Sequence, residues 1–317
     1  MKRLFPFVAA MAVTVAGCAH VALSQEAKPV MEIKPPALAA PASRAPAAVV
    51  VLADYRHDDL LWENDRTAHR IYGHALEEVE PPSGSGIDSW GKQYPWPYAD
   101  RQLRTGDQHG YHGEGLDFYN VGGGRGAGGL GIWHDNKLWT SRNYVAHRVL
   151  ATGGDVADFE VDYAPWPVGV DRQVRETRRF TLPLGTHFTR MVSTLSSNSP
   201  EPLLIGIGIG RRTTGPKDGE VAVDRARGLM TWWGPEDGAH GRMAIALRVD
   251  PSMIVETRDD ADNRMIIVRV TPDKPFVYYS GSAWSLGAGG FTSRAKWQAY
   301  AAAERLDFTV PKANERR

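Results

Sequence analysis

Residues 204–210 read Leu-Ile-Gly-Ile-Gly-Ile-Gly, so that large apolar side chains alternate with glycine. A period of two places the large side chains on one face of a β-strand and the glycines on the other. The apolar face is expected to join a core, and the glycine face leaves room for a close neighbour. This stretch therefore predicts a strand of a layered β-protein.

Other segments show the same kind of pattern. Residues 159–163 read Phe-Glu-Val-Asp-Tyr, which alternates strictly and predicts a half-buried strand. Residues 173–182 predict a second strand that carries charge on at least one face. Further strands are predicted at 253–257 and 265–270, as a hairpin around the polar turn 259–263, and at 276–279.

One helix is predicted near the C-terminus, over residues 292–305, where an alanine-rich segment follows a Thr-Ser pair suited to an N-cap. Trp297, Tyr300 and Ala301 are spaced i, i+3 and i+4 and form one apolar face. Many strands with few helices predict a mainly β fold, a large antiparallel β-sandwich with this helix on its C-terminal side. Residues 49–317 show no repeat and no second linker, so we expect a single domain.

The composition excludes several classes of protein. The chain has 317 residues, 42% of them hydrophobic, and 37 basic residues balance 37 acidic ones. This apolar fraction is ordinary for a globular protein. A neutral chain lacks the basic excess that nucleic-acid binding requires, so no nucleic-acid partner is expected. A single cysteine excludes a disulfide framework.

Residues 1–24 are predicted to be a signal peptide of the lipoprotein type. Lys2 and Arg3 precede an apolar stretch, residues 4–16, that is too short to span a bilayer. Cys18 is the only cysteine, and it follows small residues as in the lipobox of bacterial lipoproteins. We therefore expect Cys18 to be lipidated and to become the mature N-terminus.

Residues 25–48 are rich in alanine and proline and predict an extended tether between the lipid and the folded domain. The protein is accordingly expected to be exported to the periplasm or outer membrane, and to meet a membrane only through its lipid anchor. Simple cleavage near residues 22–24 is the alternative, and it would release a free periplasmic protein.

Two motifs resemble cofactor sites, but the sequence around them does not fit such sites. Residues 122–131 contain a G-x-G-x-x-G pattern, but 132–139 continue as strand where a dinucleotide site needs a helix. His69 and His74, like His109 and His112, have no His-Glu-x-x-His context, although ligands can also converge from distant strands. No cofactor is expected, and a metal ion stays a minor alternative.

Polar and aromatic residues are concentrated in the first third of the chain. Aromatic faces beside Asp, Asn and Arg are typical of sugar sites, because rings pack on C–H faces while charged groups bind hydroxyls. The alternative is that these aromatics belong to the core. The predicted substrate-binding residues are Asp65, Arg66, Arg70, Trp90, Lys92, Trp96, Asp117, Asn143, Trp232 and Trp233.

Four strings, at residues 62–66, 115–122, 126–133 and 232–236, resemble the bacterial DUF4861 family. The resemblance covers residues 50–310. It implies a secreted protein encoded with polysaccharide-degrading enzymes, and a supersandwich like those of galactose mutarotases and polysaccharide lyases. It also implies a dehydratase that acts on uronic-acid oligosaccharides.

Elimination of water from a uronic acid requires removal of the proton next to its carboxylate. Positive charge and hydrogen bonds on that carboxylate stabilise the enolate-like state, a role assigned to Arg66 or Arg70 with Asn143. An imidazole exchanges protons near neutral pH, so His112 or His134 is the predicted base. The predicted acid that protonates the departing hydroxyl is Tyr119, with Tyr111 as alternative.

Other functions fit the same residues. Glu114 and Asp117 could act as a hydrolytic pair, although they lie three residues apart in one segment. A non-catalytic glycan-binding lipoprotein and a sugar epimerase also stay open, because a fold does not decide a function.

Overall fold

The computed structural model describes residues 44–80, 83–211, 218–287 and 289–310. These residues fall within one compact unit, Pro35–Arg317. The predicted signal peptide, the lipidation site Cys18 and all but the end of the tether lie outside the described residues.

Strands dominate the described residues. The strands are β1 (Val49–Ala53), β2 (Asp59–Glu63), β3 (Ala68–Ile71), β4 (Asp88–Lys92), β5 (Gly115–Leu116), β6 (Ala127–His134), β7 (Lys137–Trp139), β8 (Tyr144–Ala151), β9 (Val156–Val168), β10 (Arg172–Pro183), β11 (Phe188–Ser197), β12 (Leu203–Gly210), β13 (Glu220–Asp224), β14 (Leu229–Trp233), β15 (Met243–Val249), β16 (Ile254–Asp259), β17 (Asn263–Val270) and β18 (Phe276–Trp284). The α-helices are α1 (Ala99–Arg104) and α2 (Arg294–Ala303). No helix in the described ranges is long and apolar enough to cross a membrane.

The strands form three antiparallel sheets. The largest has eight strands in the order β13-β14-β15-β18-β11-β10-β9-β8. Two five-stranded sheets have the orders β16-β17-β12-β6-β7 and β1-β2-β3-β4-β5, and we call the latter the small sheet. The prediction of a mainly antiparallel β-sandwich is thereby confirmed.

The eight-stranded sheet is covered on both faces. Along β18, Phe276 and Tyr278 join the main core together with apolar residues of β6, β12 and β17. The alternate residues Val277 and Tyr279 join a second cluster that includes Trp297 of α2. Burial on both faces explains why β18 is apolar along its length instead of alternating with polar residues. The predicted helix is therefore present, and it covers the outer face of this sheet.

The glycine face of β12 accommodates close neighbours, as the sequence predicts. A Cβ atom at Gly206 would lie 2.9 Å from Leu138 and from Met265, and one at Gly208 would lie 2.9 Å from the Arg125 side chain. The neighbours come from adjacent strands of the same sheet and from the glycine-rich run. These glycines therefore serve packing between side chains.

The small sheet has two different faces. Trp62 points into the main core, where its ring lies 5.3 Å from that of Phe159 and 5.2 Å from that of Phe180. The alternate residues on β2 are Asp59, Leu61 and Glu63, and all of them are buried. Because the inner face already supplies the core contacts, the outer face can carry charged residues, and the candidate site lies there.

The glycine-rich run forms a turn into β6, and no helix follows it. Gly126 has φ +57°. The backbone N–H of the next residue, Ala127, donates to the Ile87 carbonyl oxygen at 2.7 Å. A Cβ atom at Gly126 would lie 2.0 Å from that oxygen. The run thus allows two backbones to approach each other beside the small sheet, and its placement is inconsistent with a dinucleotide-binding turn.

We expect Gly126→Ala to lower the free energy of unfolding by at least about 2 kcal/mol, because alanine disfavours positive φ and its methyl group would meet a backbone carbonyl. Gly123→Ala is the matched control, since no described heavy atom lies within 4 Å of its added Cβ. That control should change stability by no more than about 0.5 kcal/mol. Equilibrium urea unfolding measures both, and equal losses would contradict the packing described here.

Candidate functional site

Strand register brings charged side chains together on the outer face of the small sheet. Arg70 on β3 pairs directly with Asp88 on β4 and, on its other side, with Leu61 on β2. Asp59 lies on the same face of β2, and Asp117 follows β5 immediately. Antiparallel neighbours opposite each other share a face, so these four charged groups converge.

Arg70 lies at the centre of three carboxylates. Its Nη2 atom donates to Asp88 Oδ2 at 2.8 Å and to Asp117 Oδ2 at 3.0 Å, and its Nη1 atom lies 3.5 Å from Asp59 Oδ2. The arginine is 5% exposed and the three carboxylates at most 3%. One cation therefore faces three buried acids, which would leave two uncompensated negative charges if all were ionised.

The pKa values of the acids show how this excess of negative charge is relieved. Burial, and then the negative charge of Asp88, raise the pKa of the Asp117 carboxyl well above its usual range. Burial also raises the pKa of Asp59 to about 6, against the opposing effect of Arg70. Asp117 therefore retains a proton under conditions in which an exposed aspartate would have lost it.

A cavity of about 640 Å³ opens beside this cluster, within the size range of small-molecule sites. Most of its lining is polar. The lining residues are Arg56, Arg70, Tyr72, Leu76, Glu80, Ser83, Asp88, Gln108, His109, Asp117, Phe118, Tyr119, Asn120, Val121 and Gly122.

His109 contributes an imidazole to the cavity wall. Its Nδ1 atom lies 2.8 Å from the carbonyl oxygen of Asp117, which can only accept, so Nδ1 carries the hydrogen. The Gln108 side-chain amide lies 3.2 Å from Nε2 and donates to it when the ring is neutral. This tautomer presents the lone pair of Nε2 for proton transfer.

Arg56 and Tyr72 complete the polar lining. Arg56 Nη2 donates to Glu80 Oε1 at 2.6 Å, whereas its buried Nη1 has no hydrogen-bond partner among the described residues. The Tyr72 hydroxyl donates to Asp88 Oδ2 at 3.4 Å. Burial and the Asp88 charge raise the pKa of Tyr72, so its phenol stays protonated. Nη1 of Arg70 is likewise buried without a hydrogen-bond partner among the described residues, so the wall contains two such arginine nitrogens together with neutral proton donors.

Some residues predicted from sequence meet at this cavity. Arg70, Asp117 and Tyr119 line it. Trp90 lies behind the wall, where its Nε1 donates to Asp88 at 3.0 Å and its ring packs 5.1 Å from the Arg70 guanidinium. Trp90 is 1% exposed, so it supports the charged cluster and offers no ring face to a ligand.

Other predicted residues lie near the small sheet without lining the cavity. Lys92 is buried, and its Nζ atom donates to Glu63 Oε2 and to the Trp96 carbonyl, both at 2.6 Å. Asp65 and Arg66 lie 3.1 Å apart in an ion pair at the turn between β2 and β3. The structure does not bring these side chains to the same pocket as Arg70.

The remaining predicted residues are also outside the cavity lining. Asn143 donates to the Gly73 carbonyl at 2.9 Å and holds a loop. His112 points towards the Asp107 carbonyl at 3.0 Å, and His134 is exposed beside Asp135 at the β6–β7 turn. Trp232 and Trp233 on β14 are buried, at 1% and 6% exposure. Trp232 packs edge-on against Tyr119, 5.6 Å away, behind the cavity wall.

Sequence reasoning missed Arg56, Tyr72, Asp88 and His109 as site residues. The period-two pattern of β3 and β4 holds a signal for two of them, because Tyr72 and Asp88 fall on the face of Arg70. Arg56 and His109 lie outside strands, so no periodicity points to them. Across the described ranges, no three His, Cys, Asp or Glu side chains are grouped so as to hold a metal ion.

We expect Asp59→Asn to change the pH dependence of stability. The Asp59 carboxyl ionises near 3.8 when unfolded and near 6 when folded, so its contribution to stability is complete below pH 3.8 and is lost as pH rises through 6. The variant should therefore gain stability relative to wild type across this window, by roughly 3 kcal/mol.

Urea unfolding between pH 4 and 7 measures this difference, and Asp58→Asn at an exposed neighbour controls for net charge. If the difference in free energy of unfolding between wild type and Asp59→Asn stays constant across this pH range, burial does not penalise the Asp59 charge.

Comparisons with known proteins address the family and the fold. The uncharacterized protein P7 of Formosa agariphila is 28% identical over 261 residues, which are 77% of this chain. The chain spans 64% of the length of that relative.

Two solved structures are distantly similar. The GH36 α-galactosidase AgaB of Geobacillus stearothermophilus matches 74% of this chain and 41% of its own, at 12% identity and a TM-score of 0.35. The 4-α-glucanotransferase of Thermococcus litoralis matches 75% and 40%, at 10% identity and a TM-score of 0.33.

The family model described as a domain of unknown function, DUF4861, matches residues 16–312. This match extends over nearly the whole sequence and includes every strand and helix of the sandwich. The chain therefore belongs to the DUF4861 family.

Proposed function

We propose that this protein is a carbohydrate-active enzyme that eliminates water from uronic-acid-containing oligosaccharides at the cavity beside Arg70. The observation that supports this proposal is that one cavity is lined by an imidazole (His109), a phenol (Tyr72) and two arginines (Arg56 and Arg70). Elimination next to a carboxylate needs a base, an acid and a cation, and this set contains all three.

Arg56 is the residue that would bind the substrate carboxylate. Arg70, an arginine expected from sequence, already contacts three carboxylates. Arg56 forms one ion pair within the described residues, with Glu80. The buried Nη1 atom of Arg56 lacks a partner within the described residues. A substrate carboxylate that reached Nη1 after a rotation of the Arg56 side chain would satisfy this buried donor and receive positive charge where the enolate-like state develops.

The proton transfers follow from the remaining groups. Nε2 of His109 would take the proton from the carbon next to the carboxylate, exchanging its Gln108 contact for the substrate. The electron pair of that C–H bond forms the new C=C bond, and the C–O bond to the adjacent hydroxyl breaks. The Tyr72 phenol would protonate the departing oxygen, so that one water leaves and no redox partner is needed. The hydroxyl of Tyr119, the acid expected from sequence, is itself buried behind the wall.

The carboxylate cluster would bind the sugar hydroxyls. Asp88 and Asp117 line the cavity and hold their oxygens in place through Arg70. Hydroxyl groups that donate to such fixed acceptors would orient the ring relative to His109. The same two carboxylates also favour a second candidate, glycoside hydrolysis, because both bind one Arg70 nitrogen and so lie close together at the wall.

The test is a panel of acidic and neutral oligosaccharides incubated with the full chain, with mass spectrometry of the products. Elimination lowers the substrate mass by one water and creates an absorbing double bond, whereas hydrolysis adds one water. We expect loss of water with uronic-acid substrates only. Gain of water would select hydrolysis, and saturable binding without turnover would select a glycan-binding protein.

We expect His109→Gln to lower kcat by at least about 100-fold, because the substitution removes the proton acceptor. His112→Ala is the matched control on the same loop, since its side chain faces Asp107 and lies outside the cavity lining. It should retain near wild-type kcat. Activity that survives in His109→Gln and disappears in His112→Ala would assign the base to His112 instead.

A further inference from the structure

Aromatic rings continue from the cavity wall to the protein surface. Phe118 lines the cavity, and its ring centroid lies 6.2 Å from that of Trp284. Trp284 in turn lies 6.4 Å from Tyr111, which is 48% exposed. Buried Trp284 therefore links the cavity wall to an exposed tyrosine, which lies on the same loop as the cavity residue His109.

A second loop adjoins this path. The Tyr111 hydroxyl donates to the side-chain oxygen of Gln93. The backbone N–H of Gln93 donates to the Glu114 carbonyl oxygen at 2.9 Å. Tyr94 follows directly and stacks on Trp96, with centroids 4.5 Å apart and an angle of 6° between the rings. Tyr94 and Tyr111 therefore lie on two loops that hydrogen bonds hold together.

These two tyrosines differ from the other aromatic residues of the chain. Within residues 44–310, as far as the structure describes them, Tyr94 and Tyr111 are the most exposed of the Phe, Trp and Tyr side chains, at 36% and 48%. The other exposed large apolar residues are aliphatic, mostly valine. Aromatic exposure is thus concentrated on the two loops next to the cavity, where no core packing accounts for it.

We propose that Tyr94 and Tyr111 form an external subsite that binds a further pyranose unit of the same oligosaccharide. This inference rests on the proposed function for the identity of the ligand. A pyranose ring has an apolar C–H face that packs on an aromatic ring, while its hydroxyls stay in water or bind polar neighbours such as Gln93. The cavity holds one end of the oligosaccharide, and the next units extend over Tyr111 towards Tyr94.

The proximity to the cavity favours a sugar chain over a protein partner. Tyr111 lies two residues from His109, which lines the cavity, so one loop carries both side chains. The two tyrosines are also flanked by hydrogen-bonding groups, Gln93 and His112, as sugar hydroxyls require. A self-association surface would instead need a larger apolar patch than two phenol rings.

The experiment measures how affinity depends on chain length in wild type, Tyr111→Ala and Tyr111→Phe. Calorimetry uses uronic-acid oligosaccharides from two to six units in the His109→Gln background, and steady-state kinetics uses the active chain. We expect Tyr111→Ala to weaken binding of the longest oligosaccharides about tenfold and to leave binding of the shortest ones unchanged. Tyr111→Phe keeps the ring and should behave like wild type.

The outcomes separate this inference from the proposed function. If oligosaccharides bind and react but Tyr111→Ala leaves the length dependence unchanged, the external subsite is refuted and the cavity chemistry stands. If no substrate turns over but Tyr111→Ala still weakens binding of long oligosaccharides, the subsite stands and the enzyme proposal fails. A change in oligomeric state of Tyr111→Ala in sedimentation would identify the tyrosines as a contact between copies and would also refute the subsite.

Discussion

The buried contact between Arg70 and three carboxylates is the constraint on which the site depends. Moving an ion into the protein interior costs several kcal/mol, and this cost is offset only when partners stand at hydrogen-bond distance. Arg70 meets this condition because antiparallel register places Asp88 directly opposite it, at 2.8 Å. Burial, and then the negative charge of Asp88, raise the pKa of Asp117. The Asp117 carboxyl at the cavity wall therefore holds its proton to higher pH than an exposed aspartate does.

This arrangement is possible because the inner face of the small sheet packs in the core, whereas its outer face carries the charged residues. Trp62 and its apolar neighbours on the inner face pack against Phe159 and Phe180 and stabilise the fold. The outer face is covered by loops and the short helix α1, whose first amide groups at Tyr98 and Ala99 donate to buried Glu63 at 2.9 Å. Each acid on the outer face is thus held by a backbone or side-chain donor. The loops and α1 do not fill the space beside Arg70, and the cavity lies there.

The fold was largely predictable from the sequence, because a half-buried strand shows its period of two directly. The segments at 159–163, 173–182 and 204–210 lie within β9, β10 and β12. The site was predictable only where its residues lie on or next to strands, as Arg70 and Asp117 do. His109 and Arg56 reach the cavity from irregular loop and turn segments, and only tertiary contacts bring them close. His109 and His112 look alike in sequence, but their hydrogen-bond partners differ.

The tryptophans show a second limit of sequence reasoning. An aromatic residue in a sugar-binding protein can be core or ligand platform, and its residue type does not distinguish the two. Trp232 is buried because it points from β14 into the main core, whereas Trp233 on the opposite face joins the cluster that includes α2. Indole buries the largest apolar area of any side chain, which favours its use in a sandwich core. Tyrosine combines a ring face with a hydroxyl that binds a neighbouring loop, as Tyr111 does with Gln93. A hydroxyl anchored in this way holds an exposed ring in place, so exposure of the ring does not require that it be mobile.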